Sequence, residues 1–147
     1  MQPCVRSNRC NRLARQTQPA DGCIVVDNGS TDHSRKVAKD AGATVIELDA
    51  NTGFSHAANL GIQAADAKWI AIVNNDVTPE EDWLALLIDK AEAADAWFAT
   101  GKLLDARARH LVDGAYDAIC RGACAWRCGH GRPDSPLWNQ PRAIRFA

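Results

Sequence analysis

The sequence predicts an α/β fold built on a mainly parallel sheet with helices on both faces. Short apolar runs alternate with helical segments from residue 22 to about residue 101. Clusters of Asn and Asp follow two of these runs, IVV (24–26) and AIV (71–73). Such alternation is typical of parallel strands joined by helical crossovers. Because parallel strands end at one edge of their sheet, both polar clusters are expected at the same rim.

The first strand, helix and second strand are predicted in immediate succession. GCIVV (22–26) is a short apolar run rich in β-branched residues, as suits a strand covered on both faces. An Asn-Gly pair then turns the chain, and Ser30 or Thr31 is available as the N-cap of a helix. That helix, HSRKVAKDAG, ends at Gly42, where a C′ glycine is expected. ATVIEL (43–48) is the next strand.

The pattern then repeats. SHAANLGIQAA (55–65) is predicted as a helix with Ser55 as its cap, and WIAIV (69–73) as a third apolar strand. AWFATG (96–101) is predicted as the last strand. Residues 103–147 show no clear period and are predicted to be irregular chain with short strands or a helix.

The helix between the last two predicted strands carries the clearest signals. Thr78, Pro79 and Glu81 are suited to be the N-cap, the first helical residue and the capping-box acid. Apolar side chains recur at spacings of three and four over residues 83–91, as on the buried face of an amphipathic helix.

Length and composition indicate one domain over residues 1–147. The chain is 46% hydrophobic and 24% charged, which leaves room for a single modest core. Within it, residues 1–20 are expected to form a partial N-terminal helix, residues 21–102 the core, and residues 103–147 an irregular segment.

Charge and hydropathy limit the partners. No run approaches the roughly 18 apolar residues of a membrane span, and no apolar run follows the N-terminal arginines as in a signal peptide. A cytoplasmic location is therefore expected. Residues 1–20 and 107–147 are rich in Arg, whereas residues 21–106 are acidic. Solvated Arg is favoured over an anionic surface as the explanation, and no block of charge suggests a nucleic-acid arm.

Three cysteines near the C-terminus raise the alternative of a metal site. Cys120, Cys124 and Cys128 are spaced four apart, with His130 two residues further on. Zinc sites usually use pairs of cysteines three apart on one tight turn. Reduced thiols without a metal are therefore favoured, and a Cys-rich metal-binding protein stays open as an alternative.

The two polar clusters suit a nucleotide. An Asp at a strand end can accept from a base or ribose, and Asp76 can also hold a divalent cation that bridges phosphates. Either Asp27 or Asp76 alone could equally be a helix cap, but the pair on one rim favours a ligand. The sequence has no P-loop, no GxGxxG turn and no GxSxG elbow.

Three stretches together resemble a known family. IVVDNGSTDHS, NTGFSHAANLGIQAA and WIAIVNNDVTPEEDWL are similar, in order and spacing, to three signatures of the family 2 glycosyltransferases, over about residues 10–100. The resemblance implies the GT-A fold and transfer of a sugar from a UDP-, dTDP- or GDP-sugar to a saccharide or lipid-linked acceptor. An acceptor of that kind leaves peripheral contact with the inner face of the cell membrane open. The NND form resembles the rhamnosyltransferase-like branch of the family.

The resemblance also implies roles for particular residues. Asp27 would bind the nucleobase, and Asn74-Asn75-Asp76 stands where the family has its DxD motif. Asp76 would be the ligand of a Mg²⁺ or Mn²⁺ ion beside the diphosphate. Further residues match the nucleotide-sugar pocket: Asn28, Asn51, Gly53, Asn59, Gly61 and Asn75. Such enzymes generally invert the anomeric carbon in one displacement, aided by an Asp or Glu base.

Two departures from the family pattern concern the ends of the chain. The family opens with an apolar central strand, whereas residues 1–19 resemble only the helix that should follow it. The catalytic base is expected beyond PRAIRFA, and no substitute is convincing among four acids: Asp105, Asp113, Asp117 and Asp134. We therefore expect a fragment holding the donor half, marginally stable or self-associating, whose activity is open. A nucleotide-sugar-binding module without transfer activity is the alternative.

Overall fold

The computed structural model describes residues 13, 15–119 and 124–143, and it is an α/β structure. The chain divides into two compact units, before and after the boundary between Ala93 and Ala94. The first unit contains β1 (Ile24–Asn28), α1 (Ser34–Asp40), β2 (Thr44–Leu48), α2 (Phe54–Ala64) and α3 (Trp83–Ala93). The second contains β3 (Leu103–Leu104), β4 (Val112–Gly114), β5 (Tyr116–Ile119), β6 (Ala125–Cys128) and a 3₁₀ helix (Pro136–Asn139).

The predicted start of the alternation is confirmed. Strands β1 and β2 pair in parallel, with Ile24 opposite Thr44 and Asn28 opposite Leu48. Helix α1 is the crossover between them and packs on both strands, while α2 packs on β1. A Cβ added at Gly61 would lie 3.2 Å from a methyl carbon of Val26, so the missing side chain allows the close approach of α2 to β1.

The helix α1 begins later than predicted but ends where predicted. Its first residue is Ser34, so Ser30 and Thr31 are not its N-cap, and that prediction is wrong. Asp32 accepts hydrogen bonds from both the backbone N–H and the hydroxyl of Ser34, so a residue just before the helix satisfies the first N–H of α1. The predicted C′ residue Gly42 follows the C-cap and donates its N–H to the carbonyl of Lys39 at 2.9 Å.

The helix α2 also begins differently from the prediction. Ser55 lies inside the helix, and the N-cap is Gly53, with φ 89° and ψ 161°. This backbone conformation is open almost only to glycine. The turn after β2 therefore enters α2 through backbone geometry, where the sequence suggested a hydroxyl cap.

The helix α3 begins at Trp83, so the cap predicted at Thr78 and the first turn predicted at Pro79 are wrong. A residue far away in the sequence satisfies the start of this helix. The Gln16 side chain accepts from the N–H of Leu84 at 3.0 Å and donates to the carbonyl of Glu80 at 2.7 Å. Gln16, which is only 6% exposed, therefore caps α3 in place of a residue adjacent to the helix in the sequence.

The predicted strand WIAIV is not a strand in the structure. Residues 69–73 form neither helix nor strand, and Ile70 is 43% and Ile72 55% exposed. A strand requires a neighbouring backbone for its ladder of hydrogen bonds, and within residues 15–119 and 124–143 the parallel sheet contains only β1 and β2. An apolar composition suited to a buried strand is therefore present without the pairing that would make it one.

The second unit is made of short antiparallel pairs, β3 with β4 and β5 with β6. Among its described residues the most buried side chain is Val112, and a Cβ added at Gly129 would lie 3.1 Å from a methyl carbon of Val112. The predicted strand AWFATG is wrong, since residues 96–101 form no strand and Trp97 is 83% exposed, with its ring edge-on to Phe98. The short strands and helix expected after residue 103 are confirmed.

Most of the predicted N-terminal helix, including residues 1–12, lies outside the described residues. Residues 15–20, which are described, form no helix or strand. In the part of the chain that the structure describes, no helix has both the length and the apolar character needed to cross a membrane.

Candidate functional site: the rim of the parallel strands

The candidate site is built on the two turns that leave the carboxyl ends of β1 and β2. We call these turns, residues 27–30 and 49–53, the rim. Gly29 has φ 79°, and a Cβ at this position would lie 2.7 Å from the carbonyl carbon of Ala50 and 2.8 Å from the backbone nitrogen of Asn51. Only a glycine permits both the left-handed conformation and this approach. The two turns are therefore in direct contact.

The side chain of Asn28 joins the two turns. Its amide nitrogen donates to Asn51 Oδ1 at 3.1 Å and to the carbonyl of Gly53 at 3.2 Å. Its oxygen accepts from the N–H of Thr52 at 2.8 Å and from the hydroxyl of Thr52 at 3.1 Å. Two donors and two acceptor positions are all that an Asn side chain offers. The hydrogen-bonding capacity of Asn28 is therefore fully used within the protein.

In the part of the chain that the structure describes, Asn51 uses only the oxygen of its side-chain amide. Its Oδ1 accepts from Asn28 and from the N–H of Gly53 at 3.0 Å. No acceptor for its amide nitrogen occurs among the described residues, and the residue is exposed. The rim thus holds the Asn51 side chain in place through its oxygen and presents its NH₂ group to solvent.

Asp27 is the buried residue of the rim, and its side chain is 5% exposed. Its Oδ2 accepts from the N–H of Ser30 at 3.1 Å and from Nε of Arg35 at 2.6 Å. Burial of the Asp27 carboxyl acts to raise its pKa, but the hydrogen bonds from Ser30 and Arg35 and the charge of Arg35 outweigh it, so the pKa lies below its ordinary value. Asp27 is therefore a buried, ionised carboxylate paired with a partly exposed arginine.

The second polar cluster lies in an exposed turn. The N–H of Val77 donates to the carbonyl of Asn74 at 3.2 Å, which closes the turn around Asn75 and Asp76. The rim's hydrogen bonds, as far as the described chain shows them, unite Asn28, Asn51 and Gly53 but do not extend to this turn. Asn59, on α2, is likewise exposed.

The metal predictions depend on few ligands. Within the described ranges, no group of three or more His, Cys, Asp and Glu side chains could hold a metal ion. Cys120 lies outside those ranges, Cys128 ends β6, and Cys124 directly precedes that strand. A cation at Asp76 would therefore need oxygen ligands from the amides of the same turn and from a bound diphosphate.

Three of the four acids considered as catalytic base are held by other groups. Asp105 accepts from two backbone N–H groups, and these hydrogen bonds lower its pKa. Asp113 pairs with Arg127 at 3.1 Å, and Asp134 with Lys102 at 2.6 Å. A carboxylate stabilised in its charged form is a weak base, so Asp105 in particular is poorly suited to that role.

Sequence reasoning missed Arg35 and Thr52, which complete the buried side and the exposed side of the rim. Thr52 lies 24 positions from Asn28 in the sequence. Its two hydrogen bonds to Asn28 could therefore be expected only once the two turns were known to touch. For Arg35 the sequence offered only a general signal, because a long basic side chain in the first turn of a crossover helix can reach the end of the preceding strand, but its partners there depend on the register of the two strands.

Comparison with known proteins agrees with this architecture. Residues 8–108 match the family described as Glycosyl transferase family 2, and the chain belongs to that family. The match covers β1, α1, β2, α2 and α3, together with the rim and the turn at Asp76. No solved structure matches the chain.

Several curated proteins are similar over part of the chain. The succinoglycan biosynthesis protein ExoO of Rhizobium meliloti is 35% identical over 99 residues, which are 63% of this chain and 28% of that protein. A 4,4'-diaponeurosporenoate glycosyltransferase of Staphylococcus aureus is 39% identical over 71 residues, 45% of this chain and 19% of that protein. Glycosyltransferase GlyG of Streptococcus pneumoniae is 29% identical over 89 residues, 57% of this chain and 30% of that protein. The chain spans less than a third of the length of each of these relatives.

Proposed function

We propose that this chain provides the donor-binding part of a glycosyltransferase that takes a sugar from a nucleotide-diphospho-sugar. The observation that carries the proposal is the rim, where Asn28 ties two parallel strand ends together and leaves the Asn51 amide directed to solvent. Ligands of α/β proteins bind beyond the carboxyl ends of such strands. The relatives named as glycosyltransferases support the same assignment.

Within this site, the exposed and the buried residues are proposed to have different tasks. The Asn51 amide meets the donor, because it is exposed and held in one place, and the exposed Gly53 lies beside it without a side chain to block the approach. The nucleobase contact assigned to Asp27 by family resemblance stays a prediction. Because the Asp27 side chain is buried, the role proposed for it here is to support the exposed residues of the site from beneath. Asn59 and Asn75, both exposed, are proposed as further contacts to the donor.

The proposed metal ligand is Asp76. The turn offers one carboxylate and two amide oxygens, and Mg²⁺ or Mn²⁺ commonly takes one or two carboxylates together with phosphate oxygens. The ligand chemistry of the turn therefore fits either ion. When bound, the cation would stabilise the negative charge that develops on the departing diphosphate. A single displacement with inversion at the anomeric carbon is the expected course.

A donor-binding module without transfer is the second candidate. It is favoured by the acids of the second unit, since Asp105, Asp113 and Asp134 are each held by hydrogen bonds or ion pairs. The acceptor, either a saccharide or a lipid-linked sugar, is part of the proposal for the transferase only.

Calorimetric titration of UDP, dTDP and GDP into the purified chain, with and without Mn²⁺, tests the proposal. We expect one nucleotide to bind in a metal-dependent manner, and Asp76→Ala to abolish the metal dependence. Asp66→Ala is the matched control, because Asp66 is also an exposed loop carboxylate of the first unit.

The outcomes separate the candidates. Metal-dependent binding with release of sugar from the matching donor supports the transferase, and binding without turnover supports the module. Nucleotide binding that is unchanged by Mn²⁺ and by Asp76→Ala would exclude the proposed metal ligand. A folded chain that binds none of the three nucleotides would contradict the donor site itself.

A further inference from the structure

Arg35 makes three polar contacts that converge beneath the rim. Its Nε lies 2.6 Å from Asp27 Oδ2, and its Nη2 donates to the carbonyl of Leu48 at 3.1 Å. Its Nη1 lies 3.3 Å from Glu47 Oε2. Asp27 is the penultimate residue of β1, and Leu48 is the last residue of β2. One guanidinium therefore connects the carboxyl ends of both parallel strands.

We propose that Arg35 is a positioning residue of the donor site, which fixes the Asp27 carboxylate and sets the spacing of the two rim turns. This inference rests on the proposed function, because it gives Arg35 a role in binding the nucleotide. Arg35 itself makes no proposed contact with the donor. It acts through Asp27 on one turn and, on the other, through Leu48, which directly precedes that turn.

The geometry requires an arginine. The guanidinium is a planar fork with five N–H donors, and here its three nitrogens reach acceptors on two different strands. A lysine carries its charge at one point and could replace one of these contacts but not all three. The rim above depends on this spacing, because Gly29 and Asn51 approach so closely that a small separation of the strands would break the hydrogen bonds of Asn28.

The charges around this pair explain what losing Arg35 would do. Glu47, Asp49 and Asp27 all face the guanidinium, and Lys39 from the same helix pairs with Glu47 at 2.6 Å. Without Arg35, Asp27 would lie buried near the Glu47 carboxylate and would keep only Ser30 as a hydrogen-bond donor. Burial and like charge both raise the pKa of a carboxyl group. Asp27 would then take up a proton at a higher pH.

Two readouts on the full chain test this role in Arg35→Ala and Arg35→Lys. The first is the carboxyl carbon shift of Asp27 followed by NMR against pH, which needs no ligand. The second is the affinity for the nucleotide that the wild type binds, measured by calorimetry from pH 8 to pH 5. Lys36→Ala is the matched control, since the neighbouring Lys36 forms only an exposed pair with Asp40.

We expect Arg35→Ala to raise the pKa of Asp27 and to weaken nucleotide binding by about tenfold or more, the usual cost of losing a charge-assisted hydrogen bond. The weakening should grow as the pH falls through a range where the wild type is constant. Arg35→Lys should restore part of both properties, and Lys36→Ala should change neither.

Two results would overturn the inference in different ways. If Arg35→Ala raises the pKa of Asp27 but binds nucleotide with wild-type affinity and pH profile, Arg35 is structural only. If the Asp27 carbon titrates as in the wild type, Arg35 does not hold Asp27 at all. A wild-type chain that binds no nucleotide would instead refute the proposed function, and the positioning role with it, while the NMR titration would still report on the ion pair.

Discussion

The strongest test of the structure concerns Gln16, because one buried side chain determines where α3 begins. Gln16→Ala removes the acceptor of the Leu84 N–H and the donor to the Glu80 carbonyl. Gln16 itself is only 6% exposed. The backbone contact from the N–H of Thr17 to the carbonyl of Glu81, at 2.8 Å, would remain. The substitution therefore removes the capping side chain but leaves the backbone around residue 16 attached to the start of α3.

The expected cost follows from these contacts. Each hydrogen bond contributes about 1 kcal/mol net, and a part-buried N–H left without a partner costs about 1–3 kcal/mol. Replacing an N-cap side chain by alanine in other proteins typically costs about 1 kcal/mol of stability. That figure describes the same lost hydrogen bond at the helix start and is not added to the first. We expect Gln16→Ala to lower the free energy of unfolding of the first unit by about 2–3 kcal/mol. Gln16→Met, which keeps the length of the side chain, should lose about 2 kcal/mol, since it removes only the hydrogen bonds.

Two measurements check this prediction. Urea unfolding followed by tryptophan fluorescence gives the change in the free energy of unfolding, and hydrogen exchange gives the protection of the Leu84 amide. Gln18→Ala is the matched control, because Gln18 is exposed and lies two residues away. It should change neither quantity.

The reasoning would be refuted if Gln16→Ala and Gln18→Ala had equal effects on unfolding. It would also be refuted if the Leu84 amide kept its protection in Gln16→Ala, because another group would then be the cap.

Two further predictions concern the rim and its buried ion pair. Gly42→Ala should destabilise the first unit by about 1 kcal/mol, because Gly42 has a positive φ. Gly29→Ala should cost more, because Gly29 also has a positive φ and its added Cβ would in addition press against backbone atoms. Urea unfolding of both variants would show this, and equal costs would contradict it. Because the folded pKa of Asp27 is depressed, its stabilising effect is present above about pH 4 and is lost as the pH falls through the folded value. Arg35→Ala should lose less stability than the wild type on acidification, and a parallel loss would count against the ion pair.

Sequence reasoning was successful where structure depends on neighbours in the chain. The order of β1, α1, β2 and α2 follows from apolar periodicity and from glycines such as Gly42, and these signals are local. The family resemblance rests on contiguous residues too, and the family match confirms it. The rule that parallel strands end together holds for the turns after β1 and β2, but the sequence analysis applied it to Asp27 and Asp76, and residues 69–73 before Asp76 form no strand.

The failures have a common cause in contacts that are distant in the sequence. Thr78 and Pro79 carry good capping signals, yet Gln16 satisfies the first turn of α3 from 68 positions away. WIAIV has the composition of a buried strand, but a strand exists only where a neighbouring backbone pairs with it. Arg35 could not be assigned to Asp27 from the sequence, because its three acceptors lie on two strands whose register has to be known first.

The hydrogen bond between Gln16 and Leu84 has a consequence for the order in which the first unit forms. The β1–β2 register joins residues 20 positions apart, whereas this bond closes a loop of 68 positions. By the logarithmic dependence of loop entropy on length, the longer closure costs about 1 kcal/mol more. We expect the β1–α1–β2 unit to form early and the first turn of α3 to become fixed last. The same turn should then be the first to open in the native state, and its amides should exchange before those of the sheet.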